Sequence, residues 1–299
     1  MTQTRLANVI YGNQPIIAIE HAGELLDIPS LERRFAFDWT PAHFTDRAHE
    51  FRHRVFSLGM AGIDQLIESL GCSKGPRESV LNRKQVMFMP PTVDNPAIIE
   101  FSGPSDMDIP QFRWGSSRCL RGHESPLPIP SDEPSPQLSV QVAAIVLDEL
   151  DGAGIEEAGR SIAGYAPLCL WTFPSRETIS KGWGSFRLGQ LGPCLVVGEQ
   201  DPSLWNVTIR INGNPVEQAA AKPWRTPFAK LVAIASEAAK LLPGDIIASG
   251  PLANVPSDGH QNLHQNLRPG DAIDVTIENL GSLSGTLVGS PKTSRFLPV

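Results

Sequence analysis

The chain has 299 residues, of which 41% are hydrophobic, enough for one large or two ordinary domains with a full core. Its formal net charge is −7 and it has no basic run, which argues against nucleic acid or an anionic membrane as a partner. Cys72, Cys119, Cys169 and Cys194 form no Cys-x-x-Cys, the first residues lack an apolar leader, and no apolar run approaches the roughly 18 residues of a spanning helix, so a reduced, cytoplasmic protein is expected.

Residues 1–31 read as three short strands around turns: Leu6–Tyr11, Pro15–Glu20 and Glu24–Ile28. Thr40-Pro41 suits a helix entry, and Phe44, Phe51, Val55, Leu58, Leu66 and Leu70 then recur at helical spacing up to Gly71. His49 and His53 are four apart on that helix; with no third ligand in view they read as a solvated face. Residues 72–84 look like a mobile linker, which places a small N-terminal domain over 1–84 and a larger one over 85–299. Gln85–Pro91 and Pro96–Phe101 read as strands entering the larger domain.

The segment from Pro126 to Arg176 organises the rest. Leu138, Val140 and Val142 alternate with Ser139 and Gln141, the pattern of a strand with one polar face. A charged loop follows, then Ile162-Ala-Gly-Tyr-Ala166. Trp205–Ile211 alternates into Asn212-Gly213, a type I′ hairpin signal. Phe228–Leu242 is the strongest helix, stopped by Pro243-Gly244, and the strands Asp245–Ser249, Ala272–Glu278 and Gly281–Val288 close the set. The expected class is α+β, mainly β.

Several phrases resemble the fumarylacetoacetate hydrolase superfamily. These are Leu241-Leu-Pro-Gly-Asp-Ile-Ile-Ala-Ser-Gly-Pro251, Leu267-Arg-Pro-Gly-Asp271 with its following strand, Leu191-Gly-Pro193, Ile211-Asn-Gly213, Ala163-Gly-Tyr165 and Leu120–Leu127. Each is weak alone, but they stand in the family's order. The resemblance implies a mixed β-sandwich roll behind a small N-terminal domain, a homodimer, and a small oxo-acid substrate bound to Mg²⁺ or Mn²⁺ with enolate stabilisation.

By that resemblance the metal sits on a Glu-x-Glu and an Asp. The matching positions here are Ser139, Gln141 and Leu170. Hard divalent cations need oxygen ligands, preferably charged, so a lost metal site and no metal cofactor are expected. A family lysine falls at Gly115, and another near Trp183 with Lys181 close by. Arg176-Glu177 keeps the family's Arg-Asp in conservative form, and Ser249 keeps a hydroxyl where Thr is usual.

The catalytic candidates are therefore Arg113, His123, Glu124, Arg176, Glu177 and Lys181. Arginines can polarise a carbonyl or hold a carboxylate by two points, and a His beside a carboxylate can move protons. Arg118, Ser139, Gln141, Tyr165, Leu170, Trp183 and Ser249 are the candidates for binding substrate. No Gly-x-Ser-x-Gly elbow occurs, and Cys169 reads as a structural thiol. Three functions fit: a metal-independent enzyme on a keto or enol substrate, an inactive binding subunit of the same fold, or an ordinary Mg²⁺- or Mn²⁺-dependent hydrolase with unusual ligands.

Overall fold

The computed structural model describes residues 4–28, 30, 31, 68, 69, 77–92, 95–101, 110–130, 133, 136–174, 188–198, 200–216, 226–255 and 267–290. The expected helix over 40–70 and the histidine pair His49/His53 lie essentially outside that set. The strands are β1 (Arg5–Tyr11), β2 (Gln14–His21), β3 (Glu24–Asp27), β4 (Val86–Met89), β5 (Ala97–Phe101), β6 (Phe112–Ser116), β7 (Leu120–Arg121), β8 (Pro126–Pro130) and β9 (Gln137–Val146). Helix α1 (Ile155–Arg160) leads to β10 (Ile162–Thr172), β11 (Leu188–Leu191), β12 (Leu195–Val197), β13 (Val207–Ile211) and β14 (Asn214–Pro215). Helix α2 (Phe228–Ala238) precedes β15 (Ile246–Ala248), β16 (Ala253–Val255), β17 (Ala272–Ile277) and β18 (Gly281–Ser290).

Two sheets result, as expected for a mainly β fold. The larger runs β3-β2-β1-β12-β10-β9-β15-β5-β6, with β11, β16 and β4 pairing alongside β10, β9 and β1. The smaller runs β14-β13-β17-β18-β8. Pro126, Pro128 and Pro130 alternate along β8, which is an edge strand, where a missing N–H breaks no interior ladder. Strand β9 lies at the centre and is buried on both faces. Val140, Val142 and Ala144 pack into the core shared with the second sheet and α2, while Ala143 and Ile145 pack with Leu6, Ile19 and Leu26 of the N-terminal strands.

Some local expectations needed revision. From residue 77 the supposed linker is folded: Leu81 N–H donates to Leu25 O at 2.8 Å, Val80 bridges Leu26, and Ser79 is fully buried. Strand β4 pairs with β1, so residues 86–89 join the N-terminal hairpin. The charged loop after β9 contains the short helix α1. Helix α2 buries Phe228, Leu231, Val232 and Ala235 at i, i+3, i+4 and i+7, but ends four residues before Leu242, because Leu241 leaves to bridge Leu150. Gly164 is required where β10 meets β12: a Cβ there would lie 2.3 Å from Val196 O. Among the described residues no helix is long and apolar enough to cross a membrane.

Candidate active site

Strand register brings the three positions matched to the family's metal ligands together. Leu170 lies directly opposite Ser139, Leu168 lies opposite Gln141, and side chains opposite each other share a face. Asn254 on β16 flanks Ser139 from the other side. The same face continues across β15 to β5, where Ala248 pairs with both Ala143 and Glu100. Strand β6 then sets Arg113 opposite Glu100.

Glu100 is the residue that sequence reasoning missed. It is only 5% exposed, and both carboxylate oxygens are engaged. Arg113 Nε donates to Oε2 at 2.5 Å, and Gln141 Nε2 donates to Oε1 at 2.6 Å. Gln141 also donates to Ser139 Oγ at 3.0 Å, and its Oε1 accepts from Gly250 N–H at 3.1 Å. A buried carboxylate has to be paired, and this one is. Gly250 has φ +81°, and the glycine takes the left-handed turn that aims its N–H at Gln141.

The network forms one wall of a cleft of about 340 Å³, lined by Glu100, Arg113, Gln137, Ser139, Thr172 and Asn254 with apolar residues between them. The Arg113 side chain is 49% exposed there, against 6% for Glu100. The cleft therefore presents a guanidinium anchored from behind by a buried carboxylate. Such a group can hold a ligand carboxylate, or an oxyanion as it develops, by charge-assisted hydrogen bonds.

The donors described here do not fit a hard divalent cation. Ser139 and Gln141 are neutral, Leu170 has no donor, and Glu100 is already committed to Arg113 and Gln141. A cation at this place would also meet the fixed positive charge of Arg113. Among the described residues no three His, Cys, Asp or Glu side chains cluster in a way that could hold a metal.

The remaining candidates lie in other parts of the fold. His123 follows β7, which is separated from β9 by β10 and β11, and it does not line the cleft. It is packed edge-on to Phe88 at 5.3 Å, and its Nδ1 accepts from Ser284 N–H at 3.1 Å. Burial lowers its pKa below the ordinary value, opposed by the Glu124 charge. His123 fastens a turn to β18, and its Nε2 lies 3.6 Å from Oε1 of Glu124, which is exposed on the same turn. Tyr165 is buried against Trp205 at 5.7 Å and Phe228 at 5.3 Å, away from the cleft. Arg118 donates to Asn95 Oδ1 at 3.3 Å and does not line the cleft. Ser249 is fully buried, accepts from Val142 N–H at 3.1 Å and supports the turn to Gly250. Burial pushes the Cys169 thiol up to about 12, as suits a structural residue. Arg176, Glu177, Lys181 and Trp183 lie outside the described residues.

Comparison with known proteins agrees with this architecture. The family description "Fumarylacetoacetate (FAA) hydrolase C-terminal" matches residues 98–288. An uncharacterized protein of Archaeoglobus fulgidus is 24% identical over 220 residues, 68% of this chain and 82% of that protein. A 2,4-didehydro-3-deoxy-L-rhamnonate hydrolase of Sphingomonas sp. (strain SKA58) is 25% identical over 170 residues, 54% of this chain and 59% of that relative's length. The crystal structure of maleylpyruvate hydrolase from Sphingobium sp. SYK-6 superposes with a TM-score of 0.71 at 19% identity, covering 96% of this chain and 100% of that one. The same enzyme has also been solved with manganese(II) and pyruvate. With more than half of its length matched, the chain belongs to the fumarylacetoacetate hydrolase family.

Proposed function

We propose that this chain is a metal-independent enzyme acting on a keto or enol acid, by C–C bond cleavage, decarboxylation, isomerisation or cyclisation. The hydrolase names of its relatives and the oxo-acid seen in a solved neighbour support the substrate class. One observation supports the metal independence: the half-exposed Arg113 guanidinium, anchored on buried Glu100, faces the cleft beside Ser139, a position that the resemblance matches to a family metal ligand.

In this reading Arg113 binds the substrate's carboxylate or its developing enolate oxygen, supplying positive charge that needs no reorganisation during reaction. Glu100 fixes the guanidinium in place, and Gln141 in turn holds Glu100. Glu100 is also the carboxylate of the described cleft lining. The test is an ultraviolet assay of acylpyruvates and 2-hydroxy-dienoates in excess chelator. Turnover that persists in chelator and falls at least about a hundredfold in Arg113→Ala is expected. Turnover that appears only on adding Mn²⁺ would reject metal independence.

A second reading has one observation in its favour. Glu100 and Gln141 spend their hydrogen-bonding capacity on each other, Arg113, Ser139 and Gly250, which also suits an inactive binding subunit. Tight ligand binding without turnover across the panel would select it.

A further inference from the structure

We infer that Ser139 is a hydrogen-bond donor to the ligand's keto or enolate oxygen, with its polarity set by Gln141. The inference rests on the reading of this cleft as the ligand site, and it adds a neutral donor to Arg113. Gly250 N–H can only donate, and it lies 3.1 Å from one terminal atom of the Gln141 side chain, so that atom is the amide oxygen. The other terminal atom is then the amide nitrogen, which carries two hydrogens and cannot accept. Its partners are Glu100 Oε1 at 2.6 Å and Ser139 Oγ at 3.0 Å. Both must accept. Gln141 is fully buried, so bulk water does not compete for this arrangement.

A hydroxyl that accepts still has its own O–H to give. Ser139 is half-buried in the cleft wall, and a ligand oxygen seated against that wall meets this O–H. Hydrogen bonds in series polarise one another, so accepting from Gln141 makes the Ser139 O–H a better donor. The bonds from Arg113 to Glu100, Gln141 to Glu100 and Gln141 to Ser139 hold the charged and the neutral donor on one frame. Arg113 suits the carboxylate of a 2-oxo acid, and Ser139 the oxygen on the adjoining carbon. As that oxygen gains charge in an enolate, the bond from Ser139 strengthens without the donor having to turn.

Ligand-observed NMR titration of the full chain in chelator with 2-oxopentanoate and pentanoate tests this. The two acids share a carboxylate and a carbon chain and differ in the oxo oxygen alone. The wild type is expected to bind 2-oxopentanoate at least about tenfold more tightly. Ser139→Ala is expected to abolish that ratio by weakening 2-oxopentanoate and leaving pentanoate unchanged. Ser139→Thr, which keeps the hydroxyl, is expected to retain it, and thermal unfolding shows that the variants are folded. A packing role alone would move both acids together and would overturn the inference. So would a ratio that survives Ser139→Ala, a wild type that binds the two acids equally, or binding of neither. The turnover assay separates this from the enzyme reading: chelator-resistant turnover that needs Arg113 but is indifferent to Ser139→Ala upholds the enzyme and rejects the donor.

Discussion

Glu100 and Arg113 are direct cross-strand partners on β5 and β6, and their side chains meet at 2.5 Å with the acid buried and the base half exposed. Removing the base strands a buried charge, whereas removing both ends of the pair does not. Arg113→Ala should therefore destabilise the protein by about 1–2 kcal/mol, a value lowered from that of fully buried pairs because Arg113 is partly solvated. The double variant Glu100→Gln/Arg113→Ala should recover part of that loss. Urea denaturation of the four proteins in the cycle measures it, and simple additivity would show that the two residues are not coupled.

Gln141→Glu would set a second carboxylate against Glu100, where an amide N–H now donates at 2.6 Å. Two carboxylates in contact must share a proton or take up a cation. The variant should lose about 2–3 kcal/mol at neutral pH and regain stability on acidification. Millimolar Mn²⁺ should raise its melting temperature and leave that of the wild type unchanged. A wild-type response as large as the variant's would show that the cation binds elsewhere.

His123 gives the protein a pH dependence of known sign. Its folded pKa is lowered, chiefly by burial, from an ordinary value of 6.5. In the window below 6.5 the unfolded chain binds a proton that the folded one does not. Stability is thus complete above that pH and falls as pH drops towards the folded value, by at most about 1.4 kcal/mol per pH unit. Protonation also removes the Nδ1 lone pair that accepts from Ser284. His123→Asn, which keeps an acceptor near that point, should flatten the melting-temperature profile between pH 5 and 7; an unchanged slope would assign it to other groups.

Gly164→Ala is expected to be severe. Its Cβ would fall 2.3 Å from Val196 O and 3.0 Å from Val196 C, both backbone atoms of a buried strand. Neither can move without breaking the β10–β12 pairing. A loss above about 3 kcal/mol, or failure to yield soluble protein, is the outcome to look for, and a mild effect would show that the strands can separate locally.

What the sequence displayed was local. The alternation of β9 gave its polar face, and Asn212-Gly213 gave its hairpin, with φ +52° and +79° in the structure. The convergence of positions 139, 141 and 170 followed because β9 and β10 are neighbours in sequence and in space. Glu100 left a fainter mark, a lone acid inside the apolar run Ala97-Ile-Ile-Glu-Phe101. A buried acid demands a partner, but the choice of Arg113 over Arg118 depends on the β5–β6 register, which no local pattern encodes. For His123-Glu124 the adjacency was visible in the sequence and the two side chains meet at 3.6 Å, whereas the packing of His123 on Phe88 and its bond from Ser284 come from far away in the chain.

The shared face running from β10 through β9 and β15 to β5 and β6 works like a grid whose squares are filled by distant parts of the chain. A charge can shift to a neighbouring column without leaving the neighbourhood of the cleft. Here the carboxylate stands on β5 and the positive charge on β6, with amide and hydroxyl groups left on β9. In a sheet of this kind the ingredients of an active site can be reshuffled among strands while the scaffold stays as it is. A relative's chemistry is then better sought by location on the face than by position in the alignment.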